Sequence, residues 1–180
     1  MCHPQETKYA KTATGYDYTG MYQYVKPVIS QADISFGNLE TVTAGPEEVY
    51  SGYPTFNSPY EYLDALKYAG FDVIKNANKH SPDRRYTGVE NTMNALDARG
   101  LMHTGTYLPA GDKSSVLVVE AKGIRIAVLA YTFSTHDIPF PEGKEFCVNR
   151  IDKDSVRRDV LLAKQTGADK ILVSIHWGEE

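Results

Sequence analysis

Three short clusters in this 180-residue chain carry the residue types that bind metals and move protons. They are Asn38-Leu39-Glu40, Asn78-Lys79-His80 with Asp83 just beyond, and His176-Trp177-Gly178-Glu179. A carboxylate, an imidazole and an amide oxygen together suit Mn, Fe or Zn better than any one of them alone. His80 beside Asn78 has the makings of a general acid next to an amide ligand. Asp83 is spaced to orient His80 by accepting its second ring proton. Each cluster also has an ordinary reading. Asn38 can end a strand with Glu40 as a solvated acid, Asn78 and His80 can fill a polar turn, Asp83 can cap a helix, and His176 can hydrogen-bond within a core.

The residues before each cluster tie the three together. Ile34-Ser35-Phe36, Phe71-Asp72-Val73-Ile74 and the run from Ile171 to Ile175 are short and apolar with turn signals around them, the pattern of buried strands. In open α/β sheets the ligand site lies outside the carboxyl ends of the strands, so these ends predict one shared polar site. A helix is expected over residues 20–31, where Met21, Tyr24, Val25, Val28 and Ile29 form a stripe interrupted by Pro27. A second spans 60–68, burying Leu63 and Leu66 and stopping at Gly70. A third spans 88–99, with Val89, Thr92, Met93 and Leu96 on one face. The last spans 153–166 between an Asp152 cap and a Gly167 stop.

Residues 101–103 read as a short strand, and 115–120 with 124–132 as a hairpin around Lys122-Gly123. Residues 43–59, with three prolines and two glycines, predict a long exposed loop, and 135–149 a second loop. Strand–helix alternation with one antiparallel hairpin predicts a single α/β domain with a mixed sheet.

Composition narrows the function classes. Hydrophobic content of 42% and charged content of 23% are ordinary for a globular domain. A net charge of −4 with scattered Lys and Arg gives no footprint for nucleic acid. No apolar stretch approaches the roughly 20 residues of a membrane span, and the start lacks the apolar segment of a signal peptide. There is no Gly-rich phosphate loop and no nucleophile elbow. Cys2 and Cys147 form no metal-type spacing, and a bridge between them stays open. Tyr16, Tyr18, Tyr22, Tyr24, Tyr50 and Tyr53 allow either a sugar- or peptide-contacting surface or partly buried packing at a loop-rich edge. His103 and His136 take the ordinary reading, since neither has a metal-like neighbourhood apart from Asp137.

The order of motifs resembles one family. Ala32 to Thr41, Ala69 to Val73, Ala77-Asn78-Lys79-His80-Ser81-Pro82-Asp83, the Gly123 to Ala127 hairpin and His176-Trp177-Gly178-Glu179 look like the CapA-type capsule and poly-γ-glutamate biosynthesis proteins. These are similar to calcineurin-like metallophosphatases, which implies mixed β-sheets flanked by helices, here an incomplete αββα sandwich. The resemblance implies a two-metal centre of Mn, Fe or Zn, with Glu40, Asn78 and His176 as ligands. It makes His80 the proton donor, oriented by Asp83, and leaves Asn38, Lys79 and Glu179 to contact substrate.

Departures from the family pattern bear on activity. The family places a Gly-Asp strand before the position of Met1 and a His-bearing segment after Glu179, so the resemblance implies a partial domain cut at both ends. Lys79 stands where the family usually has a second Asn, and an ammonium there repels metal or replaces one charge. Bound metal is therefore expected to be absent or partial, and the chain inactive. The function implied is metal-dependent hydrolysis or transfer on a polyanionic polymer or its phosphorylated precursor. The alternative is a non-catalytic binding or scaffold module using the Tyr-rich loop at 43–60. A location at the bacterial cell surface or anchored outside the membrane follows from the resemblance, with membrane machinery as partner. An uncovered sheet edge is expected to pair in a homodimer.

Overall fold

Two three-stranded sheets organise residues 1–108 and 115–178, which the computed structural model describes. The first is parallel, with β1 (Phe36–Asn38), β2 (Val73–Lys75) and β3 (Met102–Thr104) side by side in that order. The second contains β4 (Leu117–Ala121), β5 (Ile124–Thr132) and β6 (Lys170–His176). Here β4 and β5 pair antiparallel, and β5 and β6 parallel. Among the described residues six α-helices accompany them: α1 (Pro4–Ala10), α2 (Thr19–Tyr22), α3 (Lys26–Ile29), α4 (Glu61–Ala69), α5 (Arg85–Asp97) and α6 (Lys153–Gln165). The expected hairpin forms around Lys122 (φ 52°) and Gly123 (φ 76°), the left-handed pair that a tight two-residue turn needs.

Alternation along the strands sets the layers. Val73 of β2 packs with Val119 of β4 and Val128 of β5, so the sheets meet face to face. Ile74, one residue on, points the other way. It packs with Leu63 and Leu66 of α4 and Ala95 and Leu96 of α5. On the far side, Ala127, Leu129 and Tyr131 of β5 receive Ala163 of α6. Helices, sheet, sheet and helix thus stack as the mixed, metallophosphatase-like arrangement expected of the sequence. Each fully buried Leu or Ile contributes roughly 1.5–3 kcal/mol relative to exposure.

The layering brings strand ends together. Asn38, Lys75 and Thr104 lie in register at the carboxyl ends of the first sheet, and Thr132 pairs with His176 at the end of the second. Gly105 closes the gap between them. Its φ is 105°, and a Cβ there would lie 2.6 Å from Ala77 Cβ and 3.1 Å from Ala130 Cβ. Only glycine fits both the conformation and the approach.

Three expectations change. The stripe at 20–31 forms two short helices rather than one, with Pro27 in the first turn of α3, where a missing N–H is tolerated. Its apolar face is not buried: Tyr24 is 85% and Val28 74% exposed. The 43–59 segment is not an exposed loop throughout. Phe56, Asn57 and Ser58 are buried. The Asn57 amide accepts from the Ala44 N–H at 2.8 Å and donates to the Glu48 carbonyl at 3.0 Å, satisfying backbone that burial would otherwise strand.

Among the tyrosines, Tyr18 packs in the interior, Tyr16 and Tyr22 are partly buried against it, and Tyr24 and Tyr53 face outward. Cys2 and Cys147 form no bridge: both are free, and they lie in separate clusters. Strand β6, whose apolar run reads as a buried strand, is instead an edge of its sheet with no strand on its outer side among the described residues, and it leaves Leu172, Val173 and Ile175 exposed. Among the described residues no helix is long and apolar enough to cross a membrane.

Candidate functional site at the strand ends

Glu40 follows β1 by two residues and is held under the surface, 9% exposed. Its Oε2 accepts from the Asn38 amide at 3.4 Å. Its Oε1 is buried without a hydrogen bond and lies 3.4 Å from His176 Nε2, at the end of β6. A buried carboxylate oxygen left without a partner is costly, by about 1–3 kcal/mol or more when charged. The His176 ring is partly open, and burial holds its pKa below the ordinary value. The Glu40 carboxylate opposes that shift, while Lys79, His80 and His136 reinforce it. Glu40, Lys79, His80, His136 and His176 therefore share one electrostatic environment.

The turn after β2 supplies the next group. Asn78 is fully buried and its side chain is committed on both ends. Its amide donates to the Leu39 carbonyl at 2.7 Å, and its Oδ1 accepts the His80 N–H at 3.0 Å. Asn78 thus ties the β2 turn to the segment bearing Glu40. His80 is buried, with Nδ1 2.9 Å from Asp83 Oδ2. That same oxygen accepts the Phe56 N–H at 2.5 Å, and the Phe56 ring stands edge-on to His80 at 4.7 Å. Asp83 Oδ1 is buried without a partner. The arrangement fixes the His80 ring and leaves Nε2 as its second proton-bearing position.

Of the residues the sequence points to, Asn38, Glu40, Asn78, Lys79, His80, Asp83 and His176 come together here. Glu179 lies outside the described residues. His103 is elsewhere, paired with Asp97 at 3.1 Å beside a cavity of about 400 Å³. His136 is the residue that sequence reasoning missed. Its ring centroid lies 4.9 Å from that of His80. It lies just past the end of β5, a position visible in the sequence, but its packing against His80 is not.

Part of the site fits a divalent ion. Two ligand atoms each about 2.1 Å from one tetrahedral ion lie about 3.4 Å apart. Glu40 Oε1 and His176 Nε2 have that spacing, and the orphaned oxygen lacks any other partner. Among the described residues, however, no three His, Cys, Asp or Glu side chains converge at metal-ligand spacing. Asn78 Oδ1, already accepting the His80 N–H, has one lone pair left to offer.

The layered α/β fold, with its polar residues at the carboxyl ends of strands from both sheets, is the metallophosphatase-like fold that the sequence leads one to expect. In solved structures the arrangement is similar to the sulfate thiohydrolase SoxB of Thermus thermophilus, in complex with glycerol. The TM-score is 0.51 at 13% identity, over 89% of this chain and 29% of that one. That likeness concerns the fold alone. The family model of the bacterial capsule synthesis protein PGA_cap matches residues 1–180, and the chain belongs to that family. It is 28% identical to the capsule biosynthesis protein CapA of Bacillus anthracis, over 92% of this chain and 42% of that protein. It is also 28% identical to the uncharacterized protein y4sH of Sinorhizobium fredii, over 67% of this chain and 27% of that one. The chain therefore spans less than half the length of these relatives.

Proposed function

We propose that the chain belongs to a capsule-assembly protein that performs metal-assisted hydrolysis or transfer on a polyanionic polymer, such as poly-γ-glutamate, or on its phosphorylated precursor. Its place is the bacterial cell surface. The observation that carries this reading is the buried, unpartnered Glu40 Oε1 facing His176 Nε2 beside the His80–Asp83 pair. Glu40 and His176 would hold a divalent ion of Mn, Fe or Zn, with Asn38 bracing the carboxylate. Such an ion, when bound, polarises the bond under attack.

The chain's own residues supply the rest. Asp83 stabilises the doubly protonated His80 ring, which releases a proton from Nε2 to the leaving group. Lys79 adds positive charge beside His176, suited to an anionic substrate oxygen. Phe56 and Asn78 keep the His80 ring and its turn in place.

A second reading, a non-catalytic binding or scaffold module, is favoured by one observation: among the described residues the Glu40–His176 pair gains no third acidic, His or Cys ligand. One experiment separates the two. The chain is loaded with Mn²⁺ or Zn²⁺, its metal content is measured, and release of phosphate from a phosphoester and cleavage of γ-linked polyglutamate are followed. Metal-dependent turnover abolished by His80→Gln supports the first reading. Polymer binding without metal-dependent turnover sinks it and supports the second.

A further inference from the structure

His136 has no role in the reading above, yet its loop is built to present it. After β5, the Thr132 hydroxyl donates to the Ser134 carbonyl at 2.9 Å, and the His136 N–H donates to Ser134 Oγ at 3.1 Å. The Ile138 N–H closes the turn on the Thr135 carbonyl at 3.1 Å, and Thr135 is buried. Within this frame both His136 (φ 51°) and Asp137 (φ 54°) are left-handed. That conformation costs a side-chain-bearing residue roughly 1–3 kcal/mol, and it persists only where the surroundings impose it. The outcome is an exposed imidazole tilted 52° against the buried ring of His80 at 4.9 Å.

A cleft of about 250 Å³ opens beside it, lined by Tyr53, Pro54, Thr55, Asp83, His136 and Ile138. Asp83 places its inner end at the His80 pair, while Tyr53, 80% exposed, forms its outer rim. Asp83 is the acid that lines this cleft: its Oδ2 is held by His80 and the Phe56 N–H, and its Oδ1 is buried without a partner, while Asp137 lines a different cleft with Glu145 and Arg150. The cleft is thus apolar along Tyr53, Pro54 and Ile138, with the His136 imidazole and the buried Asp83 carboxylate at the end nearest the proposed chemistry.

We propose that His136 is a substrate-binding residue, its imidazole holding an anionic oxygen of the substrate unit that occupies the Tyr53–Ile138 cleft next to His80. That oxygen belongs to a carboxylate or a phosphate. The assignment rests on placing the reacting bond at His80, but its test needs no turnover. The apolar walls take the body of the unit, and His136 fixes its charged end. This makes His136 a specificity-determining group rather than one that makes or breaks bonds.

The test is an NMR titration of the histidine ring resonances with inorganic phosphate in one arm and glutarate in the other, on wild type and His136→Asn. Asn tolerates the left-handed conformation, so the variant is expected to keep or raise the melting temperature while losing the imidazole. The expected result is movement of the His136 and His80 resonances with at least one anion, and at least a five-fold weaker apparent affinity in His136→Asn, read at His80. The arm that responds identifies phosphate or carboxylate as the group bound. Response of His80 or His176 without His136, or equal affinity in the folded variant, would overturn the assignment. So would silence of all three rings toward both anions. Failure of the catalytic reading shows separately, as absence of metal-dependent turnover with His136 binding intact.

Discussion

Glu40 Oε1 and His176 Nε2 face each other at 3.4 Å across the junction of the two sheets. One follows the first strand of the parallel sheet and the other ends the edge strand of the mixed sheet. Their proximity is therefore a product of the whole fold. It depends on β1 and β6 bringing their carboxyl ends to the same place, and on Gly105 letting the sheets close there.

The charge state of His176 follows from its surroundings. Burial, reinforced by Lys79, His80 and His136, keeps its pKa below 6.5, against the pull of Glu40. The unfolded chain then takes up this proton more readily than the folded one as pH falls below about 6.5. The contribution to stability is full above that pH and is lost as pH falls through the lowered value. Ring NMR should show His176 titrating below 6.5, higher in Lys79→Met and lower still in Glu40→Gln. A wild-type value at or above 6.5 would remove the basis for this claim.

His80 and Asp83 form a unit whose parts fail differently. His80→Gln should lower any metal-dependent turnover by about 10²–10⁴-fold, the usual worth of a positioned proton donor. Asp83→Asn disturbs two contacts at once, the His80 Nδ1 bond and the Phe56 N–H bond. It should therefore lower both turnover and the melting temperature, whereas His80→Gln should affect turnover far more than stability. Steady-state rates beside thermal melts separate these outcomes. Equal stability losses with unchanged rates would make the pair purely structural.

Gly105 tests how the strand ends are joined. Gly105→Ala adds a Cβ 2.8 Å from the Ala77 backbone nitrogen and forces alanine into a φ of 105°. Overpacking and strain together should cost about 2–4 kcal/mol, measured by urea unfolding. A loss under about 0.5 kcal/mol, the range of an unremarkable surface change, would mean that the closure is looser than described.

Much of this organisation is legible in the sequence because the signals are local. Asp152 accepts from the Ser155 N–H at 2.8 Å as the cap of α6, and Gly70 and Gly167 end their helices in left-handed turns. The Lys122-Gly123 turn likewise declares its hairpin. The α2–α3 stripe misleads because periodicity reports an apolar face but not what that face meets. The burial of Phe56 depends on Asn57 satisfying backbone around it, which composition does not reveal. At the site, strand ends point to Glu40, His80 and His176. His136 stays hidden because its placement depends on a left-handed loop and on packing against a ring more than fifty residues away in sequence.

The Glu40–His176 pair is proposed as part of a metal centre. Zn²⁺ titration of the metal-free chain, followed at the His176 ring by NMR, tests it most directly, because Zn²⁺ is diamagnetic and reports ligation at the atom concerned. The expected result is a progressive shift of the His176 Nε2 resonance with weak affinity, lost in Glu40→Gln although that variant stays folded. A His176 resonance that ignores Zn²⁺, or that responds equally without the Glu40 carboxylate, would contradict it.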